Sequence, residues 1–257
     1  MGQESHTLYE DDDHQVIWLA WEGDNGESNS LVQSNQLLII NGDAGYMLDP
    51  GGAFIFRDVA DLIDRYIPLA QIRYLIASHQ DPDVMSSVTL WMQMTEANLL
   101  ISRLWTRFVS HFGFNEPERI EAVPDEGMAL ELPTGDRLVL IPAHFLHSEG
   151  NFTVFDERSR TLFSADIGAS VFESGELYSR VTDFEEHRRH MQGFHERYMG
   201  NNAACRRWVA EARRYPVERI VPQHGSYFEG ELIETFFNWL EQIECGTDRI
   251  DAFYGGS

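Results

Sequence analysis

Short apolar runs alternate with helical apolar spacing along the first half of the chain. Residues 35–49 form two apolar runs around an Asn-Gly-Asp turn at 41–43, a pattern that predicts a β-hairpin. Apolar residues at helical spacing follow over 59–67, and the apolar run 73–77 predicts a strand. The same order of helix, strand and helix repeats over 84–112. This half therefore predicts alternating helices and strands.

The second half is richer in hairpins and then in helices. Hairpins are predicted over 128–141 and 152–163, where apolar runs flank short polar turns. Helices are predicted over 182–214 and 231–244, with a strand at 219–221 between them. The mixed order predicts one α/β domain in which two mixed sheets are flanked by helices.

The first 13 residues are polar and end in four consecutive acidic residues, Glu10 to Asp13. This composition predicts a solvated N-terminal tail over 1–13, with the first strand near Val16 to Trp21. Because no linker, repeat or low-complexity tract follows, residues 14–257 are predicted to form a single domain.

Histidine and aspartate side chains follow four of the predicted strands at their ends. The strand that ends near Ala77 runs into Ser-His-Gln-Asp-Pro-Asp at 78–83, where the potential ligands occupy alternate positions. Because alternate residues of an extended backbone face one side, these side chains are expected to converge. The candidate metal-binding residues at the four strand ends are His79, Asp81, Asp83, His147, Asp166 and His224.

A histidine or aspartate at a single strand end is more often a turn cap or a solvent-facing residue than a ligand. Four strand ends that each carry such residues favour a shared metal site over chance. His144 lies three residues before His147 without a matching partner, and we interpret it as a loop residue or as a residue behind the ligands. His187, His190 and His195 do not share one helical face and are predicted to lie at the surface.

The charge of the chain excludes several classes of function. It has 42 acidic residues against 19 basic ones, a net charge of −23, and every basic residue is arginine. Nucleic acids and anionic lipids bind clustered cations, so both are disfavoured as partners. Without lysine, Schiff-base chemistry, a lysine base and a P-loop lysine are excluded. Any reaction at the candidate metal site is therefore expected to use metal, imidazole, carboxylate or phenol.

The sequence carries no sign of membrane insertion or export. No stretch reaches the roughly 18 apolar residues of a spanning helix, and the N-terminus lacks the cationic and apolar segments of a secretion signal. A cytoplasmic protein is therefore expected. Cys205 and Cys245 are 40 residues apart, which excludes a CxxC motif, and both are predicted to be free thiols.

The order of the candidate ligands resembles the metallo-β-lactamase superfamily, and within it the di-iron core domain of flavodiiron proteins. The superfamily pattern, HxHxDH followed by His, Asp and His on later strands, becomes HxExDH in flavodiiron proteins. In this sequence it reads His79-x-Asp81-x-Asp83-Val84, then His147, Asp166 and His224. The Leu-Asp-Pro-Gly turn at 48–51 matches as well. The resemblance covers residues 30–245 and implies a metallo-β-lactamase-like αββα sandwich.

Two positions depart from the flavodiiron pattern. Asp81 is shorter than the usual glutamate, and Val84 stands where the family has a histidine and cannot bind a metal. The resemblance implies a first iron held by His79, Asp81, His147 and Asp166, and a second held by Asp83, His224 and the shared Asp166. The second iron would then have open positions for water or oxygen. Zinc or manganese are expected as substitutes, since carboxylate and imidazole also bind them.

Flavodiiron proteins carry a further flavodoxin-like domain, and neither that domain nor its flavin is expected within these 257 residues. The resemblance therefore implies a stand-alone di-iron protein that binds dioxygen as a diferric peroxide and serves oxygen sensing and signalling. Nitric oxide and peroxide are alternative ligands, and oxygen reduction would need an external electron donor. A signalling partner and a homodimer are expected by analogy.

Tyr198 resembles the tyrosine of a family helix near the di-iron site, where its phenol would hydrogen-bond a bound oxygen ligand. The alternative for this residue is packing of an aromatic ring at a helix end.

The competing hypothesis for the whole site is a binuclear metallohydrolase of the same fold, which would cleave a phosphodiester, thioester or lactone with a bridging hydroxide. Asp81 and Val84 disfavour it, because the hydrolytic branches keep HxHxDH. A module with a purely structural metal is the least favoured, since structural sites are closed. An oxygen sensor or oxidoreductase is therefore favoured over a hydrolase.

Overall fold

Seven strands pair into the first of two sheets. The computed structural model describes residues 2–22, 32–172 and 177–255. The strands of this sheet are β1 (Gly2–Glu10), β2 (His14–Glu22), β3 (Gln36–Asn41), β4 (Ala44–Leu48), β5 (Ile72–Ala77), β6 (Asn98–Ser102) and β7 (Ile120–Val123). They lie in sequence order, and β1 to β4 pair antiparallel while β4 to β7 pair parallel. Because β5 and β6 run in the same direction, their carboxyl ends lie at one edge of the sheet.

The second sheet has six strands. They are β8 (Met128–Glu131), β9 (Arg137–Pro142), β10 (Phe152–Asp156), β11 (Thr161–Phe163), β12 (Arg219–Val221) and β13 (Phe228–Glu229), in the order β13-β12-β11-β10-β9-β8. Only β11 and β12 pair parallel, with Phe163 opposite Val221. Their carboxyl ends therefore lie side by side.

Helices cover the outer face of each sheet. They are α1 (Phe56–Ile63), α2 (Pro82–Met85), α3 (Val88–Met94), α4 (Phe184–Tyr198), α5 (Asn202–Ala212), α6 (Glu231–Leu240) and α7 (Ile250–Phe253). Short 3₁₀ helices span Leu69–Gln71, Thr106–Phe112, Pro117–Arg119 and Gly246–Arg249. In α6 the buried residues recur at helical spacing, so one apolar face packs inward: Ile233, Phe236, Phe237 and Leu240.

Three apolar cores define four layers. The core between the sheets includes Trp18, Leu100, Phe152 and Phe163. A second core packs α1 and α3 on the first sheet, and a third packs α4, α5 and α6 on the second. The predicted fold class, an αββα sandwich of two mixed sheets flanked by helices, is confirmed.

The prediction of a solvated tail over 1–13 is wrong. Residues Gly2–Glu10 form β1, which pairs along its length with β2 as an edge strand. An edge strand is held by backbone hydrogen bonds on one side and its side chains are only partly buried, so polar residues are compatible with it. Arg158 then ties the β1–β2 turn to the second sheet through ion pairs with Asp11 and Asp136.

The helix predicted from residue 84 is interrupted between α2 and α3. The hydroxyl of Ser87 donates to the backbone carbonyl of Gly51 at 2.6 Å, with the carbonyl of Pro50 also within reach at 3.0 Å, and this hydrogen bond competes with continuation of one helix. The helix predicted up to residue 112 is a 3₁₀ helix, Thr106–Phe112. The strands β7 and β13 are four and two residues long and were not predicted.

Candidate metal centre

Four strand ends of the two sheets bring the candidate ligands together at one edge of the sandwich. His79 and Asp81 follow β5, His147 follows β9, Asp166 follows β11, and His224 follows β12. The side chain of Asp166 lies at the centre and is only 4% exposed. Because it is so deeply buried, its two oxygens must be balanced by neighbouring groups.

The first group of side chains faces Oδ2 of Asp166. Nε2 of His147 lies 2.8 Å from this oxygen and Nε2 of His79 lies 3.4 Å from it. Oδ2 of Asp81 lies 3.2 Å from Nε2 of His147 and 3.9 Å from Nε2 of His79. One potential ligand atom from each of His79, Asp81 and His147 lies within 4.8 Å of the other two. These four residues are the predicted ligand set of the first metal.

The second group faces the other oxygen of Asp166. Nε2 of His224 lies 3.3 Å from Oδ1 of Asp166 and 3.2 Å from Oδ2 of Asp83. Asp83 stands in the first turn of α2, whereas Asp81 precedes that helix. The helix therefore separates two carboxylates that the alternating pattern had grouped with His79, and sends Asp83 to His224. The arrangement is two groups joined by one shared carboxylate.

Hydrogen bonds behind two of the histidines direct their Nε2 atoms into the centre. Ser78 donates its backbone N–H and its hydroxyl to the Asp49 carboxylate, each at 2.7 Å. The hydroxyl oxygen is then free to accept Nδ1–H of His79 at 2.9 Å. Nδ1–H of His224 donates to the backbone carbonyl of Gln33 at 2.5 Å. In His79 and His224 the proton is thus held on Nδ1, which leaves the lone pair of Nε2 available to a metal.

The acidic groups of the centre attract positive charge. Burial alone would lower the pKa of His147, yet hydrogen bonds with Asp166 and Asp81 raise that pKa to about 10. In the same way Asp166 and Asp83 raise the pKa of His224 to about 10 against the cost of burial. Protons thus balance the carboxylates when no cation does, and a bound metal would displace them.

Asp166 itself shows that the residues fit a metal pair. Burial would raise its pKa, but the neighbouring His79 and the other imidazoles hold the pKa well below the usual range, so the group stays ionised. Its Oδ1 atom is buried and accepts no hydrogen bond from the described residues. Three imidazoles with three carboxylates and no thiolate form a donor set suited to divalent first-row metals.

The centre opens to solvent along one side. The side chains of Asp81 and Asp83 are 33% and 42% exposed, whereas His79 is 2% exposed. Val84, which replaces the family histidine, is fully buried in the core beneath α2 and α3. A small ligand from solution would therefore reach the centre from the side of the two exposed carboxylates.

Tyr198 lies next to the centre, and His144 lies outside both groups. The ring of Tyr198 meets the ring of His147 edge-on at 5.9 Å between centroids and stacks on Phe194. The tyrosine is 56% exposed. His144 binds the backbone carbonyl of Asp125 through Nε2, in agreement with its interpretation as a loop residue.

The prediction that the helix histidines lie at the surface is wrong for His187 and His195, which are both fully buried. In α4, His195 donates Nδ1–H to the carbonyl of Met191, and its Nε2 accepts the N–H of Gly168 at 2.9 Å. His195 thereby holds the loop that follows Asp166. The spacing on one helix face gave no signal of this, because the partner is a backbone amide from a loop 27 residues earlier in the chain.

Two further polar residues support the centre and were not predicted. Asp49, in the Leu-Asp-Pro-Gly turn, anchors Ser78, and burial raises the pKa of Asp49 to about 6. The amide of Gln223 donates to Oδ2 of Asp83 at 3.1 Å. The turn motif at 48–51 could have indicated Asp49, since an acidic residue directly after a buried strand needs partners.

The αββα sandwich with His and Asp side chains at its strand ends defines a protein of the metallo-β-lactamase class. A family model described as "ODP family beta lactamase" matches residues 32–225. The chain therefore belongs to the ODP family, and the resemblance inferred from the ligand motif is confirmed.

Solved structures with the same fold include two of an ODP protein. The chain is 42% identical to the "peroxy diiron species of chemotaxis sensor ODP", with a TM-score of 0.88 and coverage of 97% of this chain and 99% of that chain. The apo state of chemotaxis sensor ODP from T. denticola matches at 42% identity and a TM-score of 0.88, over 98% of this chain and all of that chain. Rubredoxin oxygen:oxidoreductase from Desulfovibrio gigas shares the fold at 17% identity and a TM-score of 0.74, over 92% and 61% of the two chains.

Among curated proteins, the chain is 24% identical to diflavin flavoprotein A 1 of Synechocystis sp. over 202 residues, 76% of this chain and 34% of that protein. The chain thus spans about a third of the length of this relative. Within the described residues, no helix is both long and apolar enough to cross a membrane.

Proposed function

We propose that this chain binds dioxygen at a non-haem di-iron centre formed by the two groups around Asp166. One observation carries the proposal: the two oxygens of a single buried carboxylate face two separate sets of imidazole and carboxylate donors. A bridging carboxylate of this kind suits a metal pair better than one isolated ion. The proposed ligands are His79, Asp81, His147 and Asp166 for the first iron, and Asp83, His224 and Asp166 for the second.

Two ferrous ions at this centre would supply two electrons to a diatomic ligand. The protein's own groups set the conditions around them. Three carboxylates offset most of the charge of two divalent ions, and Ser78 with Asp49 holds His79 in the tautomer that presents Nε2. The ODP protein that is 42% identical to this chain is described as a peroxy diiron species, which supports iron and an oxygen ligand here.

Tyr198 is proposed to interact directly with the bound oxygen ligand. Its ring packs against His147, and its exposed position leaves the phenol able to move toward the open side of the centre. There it would donate a hydrogen bond to an oxygen ligand. Nitric oxide and peroxide are the alternative ligands of the same geometry.

We propose a sensing and signalling role over catalytic oxygen reduction. The support is the likeness to a chemotaxis sensor over nearly the whole of both chains. A homodimer, a signalling partner protein and a cytoplasmic location belong to this proposal, as does the organisation of the chain as a single domain that includes β1. Reduction of oxygen to water would need an external electron donor. The hydrolase alternative is not favoured.

Anaerobic loading with ferrous iron tests this function. The full chain should take up two irons per chain, and exposure to air should produce a long-lived absorption band in the visible region. The matched control is His144→Gln, which lies outside both groups and should keep the iron and the band. Zinc that fills both positions and cannot be replaced by iron, or iron that gives no oxygen-dependent band, would contradict the proposal. Turnover of a phosphodiester or thioester by the zinc form would favour the hydrolase instead.

A further inference from the structure

The only two cysteines of the sequence, far apart along the chain, meet in the folded protein. Cys205 lies in the first part of α5, and Cys245 directly precedes the 3₁₀ helix Gly246–Arg249. Their sulfur atoms are 3.8 Å apart, and both side chains are fully buried. Nothing in the proposed oxygen-binding function uses this pair.

The surroundings make the two thiols unequal. The sulfur of Cys245 accepts the backbone N–H of Asp248. It also contacts the Cys205 sulfur, and with the Cys205 thiol as donor this hydrogen bond lowers the pKa of Cys245 and raises the pKa of Cys205. Hydrogen bonds to a sulfur stabilise its thiolate, which is the reactive form of cysteine. Cys245 is therefore the better nucleophile, and Cys205 is the thiol that reacts in the second step.

We propose that Cys205 and Cys245 form a dithiol that hydrogen peroxide converts into a disulfide, and that a dithiol reductant converts back by thiol–disulfide exchange. In the first step the Cys245 thiolate attacks one oxygen of the peroxide, the O–O bond breaks, and with a proton the departing hydroxide becomes water. Cys245 is then a sulfenic acid. In the second step the sulfur of Cys205 displaces the hydroxyl, the S–S bond forms, and a second water leaves. Two electrons pass from the two sulfurs to one peroxide, and the two thiol protons complete the waters.

A cavity of about 420 Å³ lies beside the turn that follows Cys245. It is lined by the turn at Gly246 and Thr247 and by residues of α4 and α7, among them Tyr198 and Phe253. Gly246 directly follows Cys245, so this cavity borders the turn that carries the nucleophile. Both sulfurs are covered in the reduced protein, and a small oxidant such as hydrogen peroxide suits this restricted approach.

The same turn packs against residues Met199 and Gly200, which connect to the loop of the metal centre. A Cβ atom on Gly246 would lie 2.1 Å from the carbonyl oxygen of Met199 and 2.2 Å from that of Gly200, so the two backbones are in direct contact. The N–H of Thr247 donates to the carbonyl of Gly200 at 2.9 Å, and the N–H of Gly200 donates to the carbonyl of Phe145 at 2.8 Å. Phe145 is two residues from His147.

Closing the disulfide would therefore move part of this chain of contacts. Sulfurs at 3.8 Å must approach to about 2.05 Å to bond, which shifts the turn of Cys245 toward the start of α5. We expect the shift to alter the hydrogen bonds of Gly200, which follows Tyr198 by two residues and donates its N–H to the carbonyl of Phe145. The disulfide itself does not depend on the proposed iron, so its formation and the oxygen-binding function stand or fall separately.

The formation of the disulfide is tested on the full chain in the presence of a metal chelator, so that iron does not oxidise the thiols. After treatment with hydrogen peroxide and denaturation, alkylation should label neither cysteine, the mass should be lower by two hydrogens, and dithiothreitol should restore both labels. Two thiols that remain free, a dimer linked between chains, or a product that dithiothreitol does not reverse would overturn the proposal.

Single replacements assign the two roles. In Cys205→Ala, Cys245 should still be oxidised and should be trapped as a sulfenic acid by dimedone. In Cys245→Ala, the remaining thiol should react at least about tenfold more slowly. Equal rates in the two variants would contradict the assignment of Cys245 as the nucleophile, while the wild-type labelling does not depend on whether either variant folds.

The coupling to the centre is tested by hydrogen exchange. Oxidation should change the exchange rates of the Gly200 and Thr247 amides by about tenfold, and the Cys245→Ala variant treated in the same way should show no change. Identical exchange at both amides before and after disulfide formation would show that the bond is isolated from the loop of His147.

Discussion

Two buried clusters of histidine and aspartate lie at different places in the sandwich and differ in how completely they are satisfied. In one, His14 donates Nε2–H to Asp156 at 2.8 Å and accepts the side-chain amide of Asn41 at Nδ1. Ser159 adds its hydroxyl and its backbone N–H to the Asp156 carboxylate. Neither His14 nor Asp156 retains an unpaired buried side-chain atom among the described residues. This cluster joins β2 and β3 to β10.

The metal centre has the same residue types with a different balance. Three carboxylates face three imidazoles through Nε2, and Oδ1 of Asp166 accepts no hydrogen bond from the part of the chain that is described. Here the carboxylates raise the pKa of His147 and of His224 to about 10. When the histidines are neutral, the negative charge of the carboxylates is therefore not balanced. A closed hydrogen-bond network holds a fold together, whereas an excess of inward-facing carboxylates prepares a cation site.

Asp166→Asn should have the largest effect, because it removes the negative charge and one oxygen of the carboxylate that both groups share. We expect the loss of the paired site and a fall in metal affinity of more than about 100-fold, measured by anaerobic titration with ferrous or cobaltous ions. The counterpart in the satisfied cluster, Asp156→Asn, should leave metal uptake per folded chain unchanged. Full binding of two metals by Asp166→Asn would remove the distinction between the clusters.

His14→Leu should reduce stability and spare the metal centre. The replacement leaves the Asp156 carboxylate buried without its imidazole partner, at a cost of about 3 kcal/mol in the free energy of unfolding. Denaturant unfolding of the metal-free chain measures this cost, and a metal titration of the folded variant provides the control. An unchanged unfolding free energy would mean that the cluster does not stabilise the fold as inferred.

Ser78→Ala and Ser159→Ala form a matched pair. Both remove a serine hydroxyl that donates to a buried aspartate, but only Ser78 also contacts a proposed ligand, His79. Ser78→Ala should weaken metal binding by 10- to 100-fold in order of magnitude, since ligand orientation is lost. Ser159→Ala should cost about 1 kcal/mol of stability and nothing in metal affinity. Equal metal affinities in the two variants would contradict the role given to Ser78.

The smallest effect at neutral pH is expected for His187→Phe, which examines an imidazole that is buried without a carboxylate partner among the described residues. Burial lowers the pKa of His187 to about 3. In the unfolded chain the pKa is about 6.5, so the folded state takes up this proton later than the unfolded state as the pH falls. The contribution to stability is therefore complete above pH 6.5 and declines from there toward pH 3.

Denaturant unfolding between pH 7 and pH 4 measures this dependence. The free energy of unfolding of the variant should fall less than that of the wild type over that interval, by the contribution of one proton that the unfolded wild type binds and the folded wild type does not. Parallel pH profiles for the two proteins would show that His187 does not remain neutral in the folded state.

Strand-end residues were predictable because they depend on a local pattern. The pairing of β3 with β4, the strand β5 and the strand β12 follow from apolar runs with turn residues between them, and their ends place His79 and His224. The division of the ligands into two groups did not follow from residue alternation and was implied only by the family resemblance. Alternation in an extended loop grouped Asp83 with His79, whereas α2 begins at Pro82 and directs Asp83 to His224.

Residues whose role depends on distant backbone could not be predicted. His195 is buried because the amide of Gly168, 27 residues earlier, supplies its hydrogen bond. The strand β1 is polar because an edge strand needs backbone pairing more than apolar side chains. The contact of Cys205 with Cys245 likewise arises only from the packing of α5 against the turn at Gly246.

The central claim is that Asp166 joins two metal positions, and an anomalous-difference map of crystals loaded anaerobically with ferrous iron tests it most directly. Data collected on both sides of the iron absorption edge should show two iron peaks, one beside His79 and His147, the other beside His224, with one oxygen of Asp166 bound to each. A single peak, or two peaks that do not share Asp166, would contradict the account.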